Sequence, residues 1–262
     1  MAAMVCHIIK ERFPGVRINC ITQNPTLLDG DPAIEQINAR QSFCYVHFWY
    51  QGVIAKKSGT ENVLKETLDL LGINHYQFKA RVYLFDQEIN TARQLILKLR
   101  QPIITFNVLS KEKVKMWPWE KWRALLQKLL PHASLVQLGD EHEPVFEGVL
   151  RFAGKLSLRE SMAVLAQARL HIGPDSFLMH AANGLDVPSV IIFGGSRTPD
   201  NSGYADNINL ATHPVCSPCW LHDSRGDQCP YDVQCMKSIS VEQVKDAVDK
   251  LLSEIERKAH HV

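Results

Sequence analysis

The chain has 262 residues, 45% apolar and 22% charged, the proportions of a globular protein able to bury a core. Its 29 Lys and Arg against 28 Asp and Glu leave a net charge of +1, which excludes bulk attraction to nucleic acid or to an anionic membrane. No run is long and apolar enough to span a bilayer, and MAAMVCHIIKERFPGV lacks the cleavage site of a signal peptide. A cytoplasmic protein is expected, with peripheral membrane association left open.

Short β-branched runs alternate with helical-period segments, the pattern of an α/β chain whose parallel strands are joined by crossover helices. The chain opens on a helix, Ala2 to Arg12, ended by Phe13-Pro14-Gly15. Val16 to Ile21, Phe43 to Trp49 and Ala80 to Phe85 read as strands, and Glu61 to Leu71 as a helix closed by Gly72. These make about half of a doubly wound domain. Asp86 N-caps a helix running to about Lys98, and a domain boundary is expected there, dividing the chain into residues 1–99 and 100–262.

The second part reads as complete. Strands are expected at Ile103 to Phe106, Leu135 to Leu138, Leu170 to Gly173 and Ser189 to Phe193. Pro118 stands in the first turn of one helix, a short helix starts near Ser176, and Ser157 with Glu160 and Ser240 with Gln243 form capping boxes for two more. Val241, Val244, Val248, Leu251, Leu252 and Ile255 give the last helix one apolar face.

In open α/β sheets, ligands bind beyond the carboxyl ends of the strands, where helix N-termini favour phosphate. Three segments have that placement: Asn107 to Pro118 with Ser110 and Lys115, then Pro174-Asp175-Ser176, then Gly194-Gly195-Ser196. Together they could cradle phosphate without a metal. Each also has an ordinary reading: Gly-Gly-Ser as a turn, Asp175-Ser176 as a cap, His180 as a structural histidine, and Lys111, Lys113 and Lys115 as a solvated face.

The ordered set Gly154-Lys-Leu-Ser-Leu-Arg-Glu160, Ala163 to Ala168, Ile172-Gly173-Pro174-Asp175-Ser176, Met179-His180-Ala181-Ala182, Val187-Pro188 and Phe193-Gly194-Gly195-Ser196 resembles the ADP-heptose heptosyltransferases, glycosyltransferase family nine. Lys115-Met-Trp117-Pro118 with Trp122, and Leu138-Gly139 followed by His142-Glu143, fit the same pattern, and the resemblance spans about residues 4 to 257. It implies a GT-B-type fold, two Rossmann-like domains facing a cleft, the N-terminal one lacking its first strand. It also implies transfer of a heptose from ADP-heptose, with inversion and no catalytic metal, to a lipopolysaccharide-core sugar or a protein hydroxyl. Carried over by position, Ser110 and Lys115 contact the diphosphate or sugar, Glu143 the ribose and Asp175 the transferred sugar, with Ser176, His180, Gly194, Gly195 and Ser196 completing the site.

Two positions depart from the family pattern. Phe177 replaces a glycine beside the phosphates, where a ring is expected to narrow the pocket. The Gly-Asp loop that carries the family's base is not found; Asp29 and Asp31 are the substitutes to test, although both read more simply as turn formers. A non-catalytic nucleotide-sugar-binding or assembly protein is the alternative these departures raise.

Of seven cysteines, Cys216, Cys219, Cys229 and Cys235 cluster, with Cys216-Ser-Pro-Cys219 at metal-knuckle spacing. Metal binding and simple burial are both open. The autotransporter branch of the resembling family holds iron with such cysteines, and a structural iron or zinc is the corresponding expectation here.

Overall fold

A computed structural model describes residues 1–39, 41–42, 44–221 and 229–259. In chain order the elements are α1 (Ala2–Arg12), β1 (Asn19–Cys20), β2 (Gln36–Ile37), α2 (Gln51–Ala55), α3 (Lys65–Asp69), α4 (Asp86–Ile96), β3 (Ile103–Phe106), α5 (Trp119–Leu129), β4 (Ser134–Gln137) and β5 (Leu150–Arg151). They continue with α6 (Leu158–Leu165), β6 (Leu170–Pro174), α7 (Phe177–Gly184), β7 (Ser189–Phe193), α8 (Pro199–Ser202), β8 (Ile208–Ala211), α9 (Gln234–Lys237) and α10 (Val241–Ala259).

Two parallel sheets result. β1 pairs with β2, and a six-stranded sheet has the order β5-β4-β3-β6-β7-β8. From β3 the chain first winds outward through β4 to β5, then returns to place β6 on the other side of β3. The order therefore reverses between β3 and β6, which makes the carboxyl ends of those two strands the switch-point crevice of a Rossmann-like sheet.

Strand periodicity sorts the core into layers. Ile104 and Phe106 of β3 with Val190 and Ile192 of β7 face Trp122, Leu125, Val244 and Val248 of α5 and α10. Ile103 points the other way, into a cluster with Ala92 and Ile96 of α4, Met162 and Val164 of α6, and Leu178 and Ala182 of α7. Ile191 and Phe193, on the opposite face from their neighbours, join Met179 and Tyr204 to Met4, Val5, Ile8, Leu64 and Leu68 of the N-terminal segment. The first part of the chain is thus packed onto the second through a shared apolar cluster.

Local signals explain most boundaries. Ser157 Oγ accepts from the Glu160 amide at 3.2 Å while Glu160 Oε2 accepts from the Ser157 amide at 2.7 Å, so the capping box opens α6. The Ser240–Gln243 box opens α10 in the same way. Pro118 and Phe85 are the N-caps of α5 and α4, so Pro118 and Asp86 stand one position from their expected places.

The N-terminal part departs further from expectation. Asn19–Cys20 is the only strand formed within Val16 to Ile21, and the described residues of 43–49 and 80–85 carry none. Their backbone groups are satisfied elsewhere: the Trp49 amide and carbonyl both bond the Thr67 hydroxyl, at 2.8 and 3.0 Å. Ala80 N donates to Asn183 Oδ1, Val82 N to the Gly184 carbonyl, and Phe85 N to Glu88 Oε2. With no strand alongside, a β-prone run takes hydrogen bonds where side chains and helix ends offer them. The helix expected over Glu61–Leu71 shortens to α3, because Ser58 Oγ and Asn62 Oδ1 accept amides of Glu61 and Leu64 and hold the preceding residues in turns.

Candidate functional site

Two of the expected residues, Lys115 and Asp175, meet at the switch point. Lys115, in a tight 3₁₀ turn after β3, places Nζ 2.9 Å from Oδ2 of Asp175 at the end of β6. The same Nζ lies 2.8 Å from Glu112 Oε2. Arg197, following the β7 loop, brings its guanidinium within 3.9 Å of Asp175 and 3.8 Å of Glu112. Lys115 is buried and Lys111 and Lys113 are exposed, so the solvated-face reading holds for those two and not for Lys115.

The electrostatics follow from this packing. Burial pushes the Asp175 carboxyl up, but Lys115, Arg197 and His180 together outweigh it and hold the group below its ordinary value. His180 is driven down to about 3, chiefly by burial, so its ring is neutral. Its Nδ1 lies 2.8 Å from the Tyr204 hydroxyl, itself held protonated by burial, so the neutral ring and the phenol share a hydrogen bond.

The strand-end loops are fixed by bonds to one another. Asn107 Nδ2 donates to the Leu109 carbonyl at 2.9 Å and reaches Ser176 Oγ at 3.4 Å. Ser176 is the N-cap of α7 but makes no side-chain cap bond, which leaves the first-turn amides of α7 without one. Ser110 Oγ accepts from the Glu112 amide. Gly194 lies where a Cβ would come within 2.7 Å of the Val114 carbonyl, so only glycine lets the β7 loop approach the turn bearing Lys115.

Glu143 is turned inward. Its carboxylate accepts amides from Val108 at 2.9 Å and Leu109 at 2.9 Å, tying the loop after β4 to that after β3. Burial raises it to about 7, against the lowering effect of those two amides. In this arrangement Glu143 shapes the crevice from behind. Asp31 is likewise committed, accepting the Ala33 amide at 2.9 Å with His7 Nε2 also 2.9 Å away, as befits the turn-former reading. Asp29 offers its carbonyl to Arg159.

Phe177 occupies ordinary helical backbone as the first residue of α7, and its ring packs against the cluster beneath α6 and α7. The substitution for glycine therefore demands no left-handed conformation.

The clustered cysteines support the β7 loop. Cys219 N donates to the Gly195 carbonyl and Trp220 N to the Ser196 carbonyl, both at 2.9 Å, while Cys235 Sγ lies 3.3 Å from where a Cβ on Gly195 would stand. Burial, reinforced by the neighbouring thiols, pushes the Cys219 and Cys235 thiols up. Among the described residues no group of three or more His, Cys, Asp or Glu is set to hold a metal ion. The iron or zinc centre expected from the spacing of the four cysteines is thus not supported by the described residues, and residues 222–228, between Cys219 and Cys229, lie outside them.

Arg197 and Glu112 escaped the sequence reading. A cation behind a Gly-Gly-Ser turn looks like a surface residue; only Trp220, whose ring lies 5.5 Å below the guanidinium, reveals it as packed.

Comparison with known proteins places these features in context. The family model "Glycosyltransferase family 9 (heptosyltransferase)" matches residues 60–228. Lipopolysaccharide heptosyltransferase 1 of Pseudomonas aeruginosa is 32% identical over 116 residues, covering 40% of this chain and 32% of that protein. A glycosyl transferase family 9 structure from Veillonella parvula aligns with a TM-score of 0.70 at 15% identity, covering 97% of this chain and 93% of that one. The dodecameric iron-containing heptosyltransferase TibC of enterotoxigenic E. coli, in complex with ADP-D-beta-D-heptose, aligns at 0.66 with 16% identity, covering 97% and 74%. At such identities the structural likeness shows the fold: α/β, GT-B type, with parallel Rossmann-like sheets. Among the described residues no helix is long and apolar enough to cross a membrane.

Proposed function

This chain belongs to glycosyltransferase family 9, the heptosyltransferases, and on that premise we propose that it binds ADP-heptose at the carboxyl ends of β3, β6 and β7 and transfers the sugar. The acceptor is a hydroxyl of a lipopolysaccharide-core sugar or of a protein, attacked with inversion, and the protein works in the cytoplasm. Residues 100–262 hold the sugar donor and residues 1–99 face the acceptor.

The buried Lys115–Asp175 pair at the switch point carries this reading. As acceptor oxygen bonds to the anomeric carbon, the bond from that carbon to the diphosphate oxygen breaks and ADP leaves with its electron pair. Lys115 and the uncapped amides of α7 stabilise the charge that develops, without a metal ion taking part in the step. Asp175 orients the transferred sugar, with Ser110, Ser176, His180, Gly194, Gly195 and Ser196 around it. The acceptor proton passes to a carboxylate base, for which Asp29 is the residue to test because Asp31 is already engaged. The 32% identity to a lipopolysaccharide heptosyltransferase supports the sugar class.

Calorimetric titration of the folded protein with ADP, followed by ADP release from ADP-heptose in the presence of acceptor, tests the proposal. Saturable ADP binding is expected. No saturable binding at millimolar ADP would overturn the site assignment.

A further inference from the structure

Glu112, like Arg197, is a member of the buried cluster to which the proposed function gives no task. Its side chain is 13% exposed, beside Lys115 at 7%, and Asp175 on the other side of the lysine is 3% exposed. Glu112 Oε2 is 2.8 Å from Lys115 Nζ and its Oε1 is 3.8 Å from Arg197, so one carboxylate spans both cations. Asp175 directly follows a core strand, whereas Glu112 lies on the loop after β3, where Ser110 Oγ accepts its amide.

Charge decides what a diphosphate meets. Among these four side chains Glu112 and Asp175 balance Lys115 and Arg197, so an arriving anion must compete with Glu112 for the two cations. Once Glu112 swings away, one positive charge is uncovered in a site screened from water, where it acts strongly. We propose that Glu112 is a displaceable counter-ion that holds Lys115 and Arg197 where the diphosphate oxygens bind, and that Arg197, braced by Trp220, is the second cation for that diphosphate. This rests on the ADP-heptose reading above. The device sets a threshold: a ligand must carry enough negative charge to evict a carboxylate, so a nucleoside diphosphate is favoured over the bare nucleoside.

Titration of wild type, E112Q and R197Q with ADP and with adenosine tests it, near-ultraviolet circular dichroism confirming the fold and E112A standing in if E112Q misfolds. E112Q is expected to bind ADP about tenfold more tightly and R197Q about tenfold more weakly, the scale of one charge-assisted contact, with adenosine affinity unchanged in both. If wild type binds ADP and folded E112Q gains nothing, the counter-ion assignment falls alone. An R197Q affinity equal to wild type removes Arg197 from the diphosphate site. If no form binds ADP, the sugar-donor site falls with it, whereas binding by E112Q only would be the strongest support.

Discussion

Lys115 Nζ stands 2.9 Å from Asp175 Oδ2, and the two side chains are 7% and 3% exposed. The pair joins the loop after β3 to the end of β6, the two strands between which the sheet order reverses. An ion pair buried this deeply recovers its desolvation cost poorly by itself. Its placement in the crevice suits the proposed diphosphate site, where the lysine would already be oriented.

Replacing Lys115 by Ala is therefore expected to weaken ADP binding by about 1–3 kcal/mol, the loss of one charge-assisted contact. Calorimetry on the folded variant checks this, and an unchanged affinity would reduce Lys115 to a partner for Asp175.

Glu143 makes stability depend on pH. Its carboxyl, raised on folding to about 7 by burial, keeps its proton more tightly in the native state than in the unfolded chain at 4.5. Its contribution is thus most favourable below pH 4.5 and declines as pH rises through 7, by up to about 3 kcal/mol. Urea unfolding at pH 5 and pH 8 should show this decline in wild type and its absence in Glu143→Gln. An equal decline in both would assign it to other groups.

Gly139 has φ +117, and a Cβ there would lie 2.6 Å from Glu143 Oε1. Gly139→Ala should cost about 1–3 kcal/mol through backbone strain and displacement of the carboxylate. Gly15, where a Cβ meets nothing within 4 Å, is the control and should tolerate alanine with little change. Equal urea midpoints for the two variants would contradict the argument.

Arg159 fastens the N-terminal segment to α6. It meets both Glu88 oxygens, at 2.5 and 2.6 Å, and donates to the carbonyls of Thr26, Asp29 and Tyr83 while lying over the Phe85 ring. Arg159→Met should destabilise the fold by about 2–4 kcal/mol, less than a fully buried pair would because Glu88 is partly solvated. Thermal unfolding should stay a single transition, because Leu64 and Leu68 share a core with Ile191 and Phe193. Two resolved transitions in wild type would show that the segments fold separately.

The second part of the chain was legible where its strands are buried, in β3, β6 and β7, and where capping boxes open α6 and α10, whereas the half-buried β5 and β8 gave no such signal. The run Ile103–Phe106 reads as a strand from composition, and the structure gives it partners on either side. Trp49 misled because β propensity describes how a residue suits a sheet and says nothing about whether a neighbouring strand exists; here a threonine hydroxyl takes both backbone bonds. Lys115 was legible as a candidate, yet nothing local separates it from Lys111 and Lys113. The register of one tight turn buries it alone. Four cysteines in close succession left metal binding and burial both open, and in the described structure the amides of Cys219 and Trp220 strap the loop after β7.

Trp220 has φ +50, a left-handed conformation that a bulky residue adopts only when its surroundings insist. Its ring lies under Arg197, and its indole N–H reaches the Ser58 carbonyl at 3.3 Å, an oxygen that also accepts Asn201 Nδ2. One aromatic plate thus bridges the charged crevice and a loop from the far end of the sequence. In the proposed site, a ligand that displaced Arg197 would disturb the packing of Trp220 and with it the bond to Ser58, linking the crevice to a loop that contributes no charge to it.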